Sequence, residues 1–319
     1  MTVVVVSLGG TIASTSDGDG ASPSLSGRDL VDAVPGLGDV ADVETLEFAT
    51  VPSPHLTYED LLDLVERIRE FDDDPGTTGV VVTQGTDVLE EAAYFVDLCY
   101  DGGTPVVFTG AMRNPSLAGP DGPANLLASV RVAGGLVGRD AGTLVCFNGR
   151  VHAAREATKT NSTNVDTFRS PEFGPLAVVE EDRVTWRRRA ENPDPTLSPD
   201  REGLSVDVEA VTVTFDASTA LLDACADGDA VCLAALGAGH VPPGIVPALE
   251  RLREADVPIV ATTRCPEGRL ARNTYDFHGS ERTLVELGCL YSDLNLQKTT
   301  VRTVAALAAD RLDDAFVRP

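Results

Sequence analysis

Three short polar segments of this 319-residue chain carry residue types suited to acyl-transfer chemistry. They are Gly9-Gly10-Thr11-Ile12-Ala13-Ser14, Thr83-Gln84-Gly85-Thr86-Asp87 and Thr158-Lys159-Thr160-Asn161-Ser162. A threonine hydroxyl is a weak nucleophile until a base takes its proton. Lys159 and Asp87 could supply that relay, with Thr86 between them, in the logic of a hydroxyl–base–carboxylate triad. Backbone N–H groups of the glycine loops could hold the oxyanion of a tetrahedral intermediate.

The basic residues single out the same lysine. Of 25 basic residues two are lysine, Lys159 and Lys298, and 23 are arginine. Arginine does not give up its proton in a protein, whereas a desolvated lysine does. A chain that uses arginine almost everywhere and keeps a lysine in a polar cluster marks Lys159 as a candidate base. Each piece is ambiguous when isolated. Gly-Gly-Thr after a strand also suits a tight turn or a phosphate loop, and Thr86-Asp87 also suits a helix N-cap. No G-x-G-x-x-G follows Val6, so a dinucleotide loop is not expected there. The combination carries the reading.

These segments need strand ends to present them. Val3–Ser7, Gly79–Thr83, Pro105–Thr109 and Thr143–Phe147 read as strands, with a hairpin-like segment around Arg150–Ala154. Helices are expected from Ser26 to about Val34, after the capping-box pattern Thr57-Tyr58-Glu59-Asp60, from Asp87 to about Tyr100 and from Pro123 to Val137. In the second half, strands Val211–Phe215, Ala230–Leu236 and Pro258–Thr262 alternate with helices at 217–226, Pro243–Glu254, 280–288 and 297–309. Such alternation predicts an α/β fold with parallel sheets. Ligands of such sheets bind beyond the carboxyl ends of the strands, where the polar clusters fall. The polar, proline-rich stretch around Asn192-Pro193-Asp194-Pro195 reads as a linker. The expected organisation is a larger parallel-sheet domain at 1–190, a linker at 191–209 and a smaller α/β domain at 210–319.

Composition excludes several functions. A net charge of −25 opposes nucleic-acid binding. The acidity is spread along the chain and suits a surface adapted to high salt, where self-repulsion is screened. No apolar run approaches the length needed to cross a bilayer, so no membrane partner is expected. The N-terminus reads as a first strand, not a signal peptide, and the expected location is the cytoplasm. Six scattered cysteines form no C-x-x-C pair and read as buried free thiols; no metal site and no cofactor are expected.

The segments Gly9–Ala13 and Thr83–Asp87 resemble the two signature motifs of the bacterial-type L-asparaginase/glutaminase family. Further matches lie at Thr109-Gly110-Ala111-Met112-Arg113, Asp121-Gly122-Pro123-Ala124-Asn125-Leu126, Thr158-Lys159-Thr160-Asn161, Phe173-Gly174-Pro175-Leu176 and Asn295-Leu296-Gln297-Lys298. The resemblance runs nearly the whole chain, in order. It implies hydrolysis of the side-chain amide of L-asparagine, with Thr11 as nucleophile and Thr86, Lys159 and Asp87 as the activating group. It also implies that Asp87 holds the substrate α-ammonium, that Ser53 holds the α-carboxylate, and that Glu281 reaches the site of a neighbouring subunit. The implied partners are a small-molecule substrate and a second copy of the chain, as a homodimer or homotetramer.

Three departures from the family pattern stand out. Residues 14–30 lack the tyrosine that many members carry on the loop after the nucleophile. Pro54 follows Ser53 where a glutamine is common, and His240 ends Gly237-Ala238-Gly239-His240 where an asparagine is common. His240 is therefore a candidate substrate contact or a turn histidine. Two other functions fit the same residues: a glutaminase–asparaginase of mixed specificity, and a non-catalytic binder of small amino acids. The second has no use for a lysine base. The amidase subunit of a tRNA-dependent amidotransferase normally adds an N-terminal domain, which is not expected here.

Overall fold

The computed structural model describes residues 2–16, 20–135, 142–189 and 193–318. They form two compact units, Met1–Pro193 and Asp194–Pro319.

The first unit is built on an eight-stranded sheet. Its strands and helices follow in the order β1 (Thr2–Ser7), the small hairpin β2 (Ser14–Ser16) and β3 (Ala21–Pro23), α1 (Gly27–Asp32), β4 (Asp42–Glu47), α2 (Tyr58–Asp72), β5 (Thr77–Thr83), α3 (Leu89–Cys99), β6 (Val106–Thr109), α4 (Gly122–Gly134), β7 (Thr143–Phe147) and β8 (Arg150–Ala153). The short pair β9 (Thr158–Lys159) and β10 (Phe168–Arg169) and the strands β11 (Ala177–Glu180) and β12 (Arg183–Trp186) complete it. The sheet order is β12-β11-β8-β7-β6-β5-β1-β4. β4, β1, β5, β6 and β7 are parallel, and β8, β11 and β12 run antiparallel.

Residues with no polar face make the centre. Val3, Val5, Val6, Val80, Val81 and Val82 are fully buried, as expected of parallel strands covered on both sides. α2 presents buried Leu61, Leu62, Leu64, Val65 and Ile68 along one stripe, and Thr57 and Asp60 close its capping box. The change from parallel to antiparallel has a local cause. Asn148 and Gly149 both adopt positive φ, 49° and 67°, the two-residue turn that folds β7 back onto β8.

The second unit holds a four-stranded parallel sheet in the order β13-β14-β15-β16. These strands are β13 (Val208–Thr212), β14 (Ala230–Ala235), β15 (Ile259–Thr263) and β16 (Leu290–Tyr291). The helices are α5 (Ala220–Ala224), α6 (Val246–Glu254), α7 (Glu281–Glu286), α8 (Leu296–Ala308) and α9 (Leu312–Ala315). The first strand lies earlier than the expected Val211–Phe215, and Phe215 is 93% exposed. Pro243 and Gly244 form a 3-10 turn, so α6 begins only at Val246.

The proline-rich stretch is less free than a linker. Arg302 of α8 pairs with Asp194 at 2.8 Å, the two side chains only 9% and 2% exposed, and Leu197 is fully buried. Asp200 N–H donates to the Ala308 carbonyl. Prolines there limit the unfolded chain without preventing this packing. The expected boundary at 190–191 and the end of the expected helix at Val137 lie outside the described residues. Five cysteines are buried free thiols, whereas Cys265 is exposed. Burial pushes the Cys146 thiol up to about 12, which keeps it protonated and inert. No described helix is long and apolar enough to cross a membrane.

Candidate active site

β1 and β5 are neighbours, with Ser7 opposite Thr83. From β1 the chain crosses to β4 on one side, and β5 lies on the other side. This is a topological switch point, where a parallel sheet opens a crevice beyond its strand ends. Gly9-Gly10-Thr11 and Gln84-Gly85-Thr86 leave the sheet side by side at that crevice.

The glycines are sterically required. Gly9 and Gly10 have φ of 86° and 84°. A Cβ on Gly10 would lie 2.1 Å from the Gly85 nitrogen, and one on Gly85 would lie 2.6 Å from Ser53 Oγ. Only bare backbone lets the two loops touch, with Ser53 against them. Thr11 then opens a short 3-10 turn through Ala13 and is half-buried. The Ser14 hydroxyl donates to the Gly10 carbonyl at 2.8 Å and closes that turn.

Thr86 is buried and Asp87 exposed, side by side at the start of the loop into α3. Lys159, on β9, reaches both. Its Nζ donates to Thr86 Oγ1 at 2.9 Å and to Asp87 Oδ1 at 2.7 Å. The Lys159 side chain is 14% exposed and that of Asp87 68%. The Nζ is thus drawn into the protein while its carboxylate partner keeps an open face to solvent. The expected trio of Thr86, Asp87 and Lys159 is assembled by the fold, and the loop carrying Thr11 abuts the loop carrying Thr86.

Two of the other matched segments stitch the neighbouring loop. The Asp121 carboxylate accepts the backbone N–H groups of Met112 at 3.1 Å and Arg113 at 2.8 Å. Asn125 Nδ2 donates to the Gly110 carbonyl at 3.0 Å, and Asn125 Oδ1 accepts from Asn148 N–H at 2.9 Å. These bonds fix the chain leaving β6 where it borders Gln84 and Thr86. Sequence reading missed Glu90. Its buried carboxylate accepts from the Thr158 hydroxyl at 2.8 Å and from the backbone N–H of Lys159. The available signal was an acidic residue at the start of a largely apolar helical run, three residues after Asp87.

The second unit carries two further expected site residues, Glu281 and His240. Glu281, expected to reach a neighbouring subunit, is fully buried in its own. Its Oε1 accepts the backbone N–H groups of Thr274 at 2.7 Å and Tyr275 at 2.6 Å. Burial works to raise its pKa, but those two N–H groups, its own backbone and His240 together pull the carboxyl below the usual glutamate value. A carboxylate engaged inward in this way is not a solvated helix start. His240 Nδ1 lies 3.6 Å from Glu281 Oε2, and its ring packs edge-on to Tyr275 at 4.9 Å and beside Phe277 at 5.1 Å. His240 therefore belongs to an aromatic cluster of the second unit.

Comparison with known proteins places this arrangement. Residues 2–192 match the family model "Asparaginase, N-terminal", and residues 207–318 match "Glutaminase/Asparaginase C-terminal domain". The class defined is a two-unit α/β amidohydrolase. L-asparaginase of Bacillus licheniformis is 32% identical over 315 residues, covering 96% of this chain and 95% of that protein. A glutaminase-asparaginase of Pseudomonas fluorescens biotype A is 30% identical, covering 96% and 86%. The crystal structure of "Probable Cytoplasmic L-asparaginase" from Campylobacter jejuni superposes with a TM-score of 0.85, at 29% identity and 98% coverage of both chains. The chain belongs to the asparaginase family.

Proposed function

We propose that the protein hydrolyses L-asparagine to L-aspartate and ammonia through a threonine acyl-enzyme. The observation that carries the reading is the Lys159 Nζ held at once by Thr86 and Asp87, beside the glycine loop of Thr11. In the first step Lys159 acts as the neutral amine: Thr11 Oγ1 bonds to the amide carbon as its proton passes to Thr86 Oγ1, which gives its own proton to the free lone pair of Lys159 Nζ. Backbone N–H groups of the glycine loops take the oxyanion. Collapse breaks the C–N bond, and the same proton leaves with the amine as ammonia. Water then attacks the ester, restores the Thr11 hydroxyl and releases aspartate. Asp87, with its exposed carboxylate, takes the substrate α-ammonium, and Ser53 takes the α-carboxylate. The lysine relay does the work of the missing loop tyrosine.

Parallel measurement of kcat/KM for asparagine and glutamine tests this directly. Ammonia release favouring asparagine supports the reading. Comparable values would support mixed specificity, as in the name of the Pseudomonas relative; one methylene contributes only about 1–3 kcal/mol of discrimination. Binding without ammonia release would support the amino-acid binder. The same proposal includes self-association as a homodimer or homotetramer, a cytoplasmic location and a surface adapted to high salt.

A further inference from the structure

We propose that Glu90 is the positioning residue that sets the base of this site, acting through the backbone of Lys159. The inference deepens the catalytic reading given above and rests on it.

Lys159 sits on a strand of two residues, in which it pairs with Phe168 and Thr158 pairs with Arg169 of β10. So short a ladder is a weak platform for a side chain that must hold a proton in register. Its partners Thr86 and Asp87 belong to a different segment, the loop that leads into α3, 73 and 72 residues away. Something has to tie the two elements together. Glu90 does so from the first turn of α3, one turn beyond Asp87.

Its carboxylate accepts the Thr158 hydroxyl with both oxygens, at 3.0 and 2.8 Å, and accepts the Lys159 backbone N–H with Oε2. Glu90 is only 4% exposed, so these bonds form largely out of competition with water. Lys159 is consequently held at two points by one helix start and the loop leading into it. Glu90 fixes its backbone, and Thr86 and Asp87 receive its Nζ. With the backbone fixed, the flexible four-carbon stem has a defined span to cover, and Nζ meets Thr86 Oγ1 at 2.9 Å. A misplacement of about 1 Å at such a contact can cost on the order of 10²-fold in rate. The position of Glu90 is also favourable for its charge, since the N-terminus of α3 carries a positive partial charge. Glu90 touches no reacting atom in this scheme. It acts through Lys159.

The experiment is a double-mutant cycle on the full-length protein, reading kcat and KM for asparagine and the melting temperature. Glu90→Ala and the milder Thr158→Val are each made alone and in a Lys159→Arg background. A positioning role predicts that Glu90→Ala lowers kcat about ten-fold or more, with KM within about three-fold. Thr158→Val should lower it less, because the bond to the Lys159 N–H remains. In the Lys159→Arg background both losses should shrink to two-fold or less, because the group being positioned is already gone. Equal fold-losses in both backgrounds would overturn the proposal, as would a change in KM with kcat intact. If Glu90→Ala does not fold, Glu90→Gln and Thr158→Val carry the cycle. A Lys159→Arg variant with wild-type kcat would instead remove the catalytic reading of Lys159 itself, whatever Glu90 does.

Discussion

Two polar clusters, one in each unit, use the same residue chemistry to opposite ends. In the first unit, Lys159 Nζ bridges Thr86 and Asp87, and the carboxylate of Asp87 stays largely exposed. In the second, the carboxylate of Glu281 is fully buried and takes two N–H groups of its own chain. Its second oxygen and His240 Nδ1 face each other at 3.6 Å, and neither finds a partner at hydrogen-bond distance among the described residues. The difference teaches how to separate reactive from architectural polar groups. A group that is held firmly yet keeps an open side can meet a substrate. A buried carboxylate with one oxygen bound to two backbone N–H groups fixes a turn, here the one that carries Tyr275 and Phe277.

Substitutions can break that contrast. The largest effect is expected at Thr11. Thr11→Ala should lower ammonia release on the order of 10³-fold or more while leaving the melting temperature near wild type. Turnover near wild type in that variant would remove Thr11 from the chemistry. Next comes Lys159→Arg, which keeps the charge but not the ability to release a proton. A loss in kcat of about 10²-fold is expected, and an unchanged kcat would make the lysine merely structural.

At Glu281 the expectation reverses. Glu281→Gln keeps one acceptor but loses the charge, and should cost about 1–3 kcal/mol of stability with kcat changed less than five-fold. A kcat collapse at unchanged melting temperature would return Glu281 to the chemistry. The pH dependence follows from the lowered pKa of Glu281 in the folded state. A carboxyl that binds its proton less readily folded than unfolded contributes stability that is full above the ordinary glutamate range. That contribution is lost as pH falls through the lowered folded value. The stability gap between wild type and Glu281→Gln should therefore close on acidification below about pH 4.3. Melting curves of both proteins across that window check it. The smallest effect concerns the whole surface. With a net charge of −25, the melting temperature should rise by a few degrees from dilute to molar potassium chloride, because the screening length shortens from about 10 Å near 0.1 M to about 3 Å. A flat or falling trend would discard the high-salt reading.

Much of the catalytic unit was legible in the sequence because its signals are local. A valine run with no polar face specifies a buried strand wherever it sits, so β1 and β5 could be read directly. The glycines at 9, 10 and 85 and the near-absence of lysine marked the polar loops before any coordinate. The strands at 42–47, 177–180 and 183–186 were not readable in this way. They are short and half-exposed, and their pattern resembles that of loops until a neighbouring strand supplies the ladder.

The amino-acid sequence determined the α/β alternation, the parallel core strands, the capping box of α2 and the chemical identity of the candidate nucleophile and base. These follow from side-chain volume, polarity and backbone preference over a few residues. Only the tertiary structure decided which groups meet. It brought Lys159 to Asp87 across 72 residues, set Ser53 against Gly85, tied β9 to α3 through Glu90 and turned Glu281 inward. Burial and hydrogen-bond partners depend on what the rest of the chain packs around a residue. The same glutamate codes for a solvated helix start, a reaching acid or a turn anchor until that packing is known.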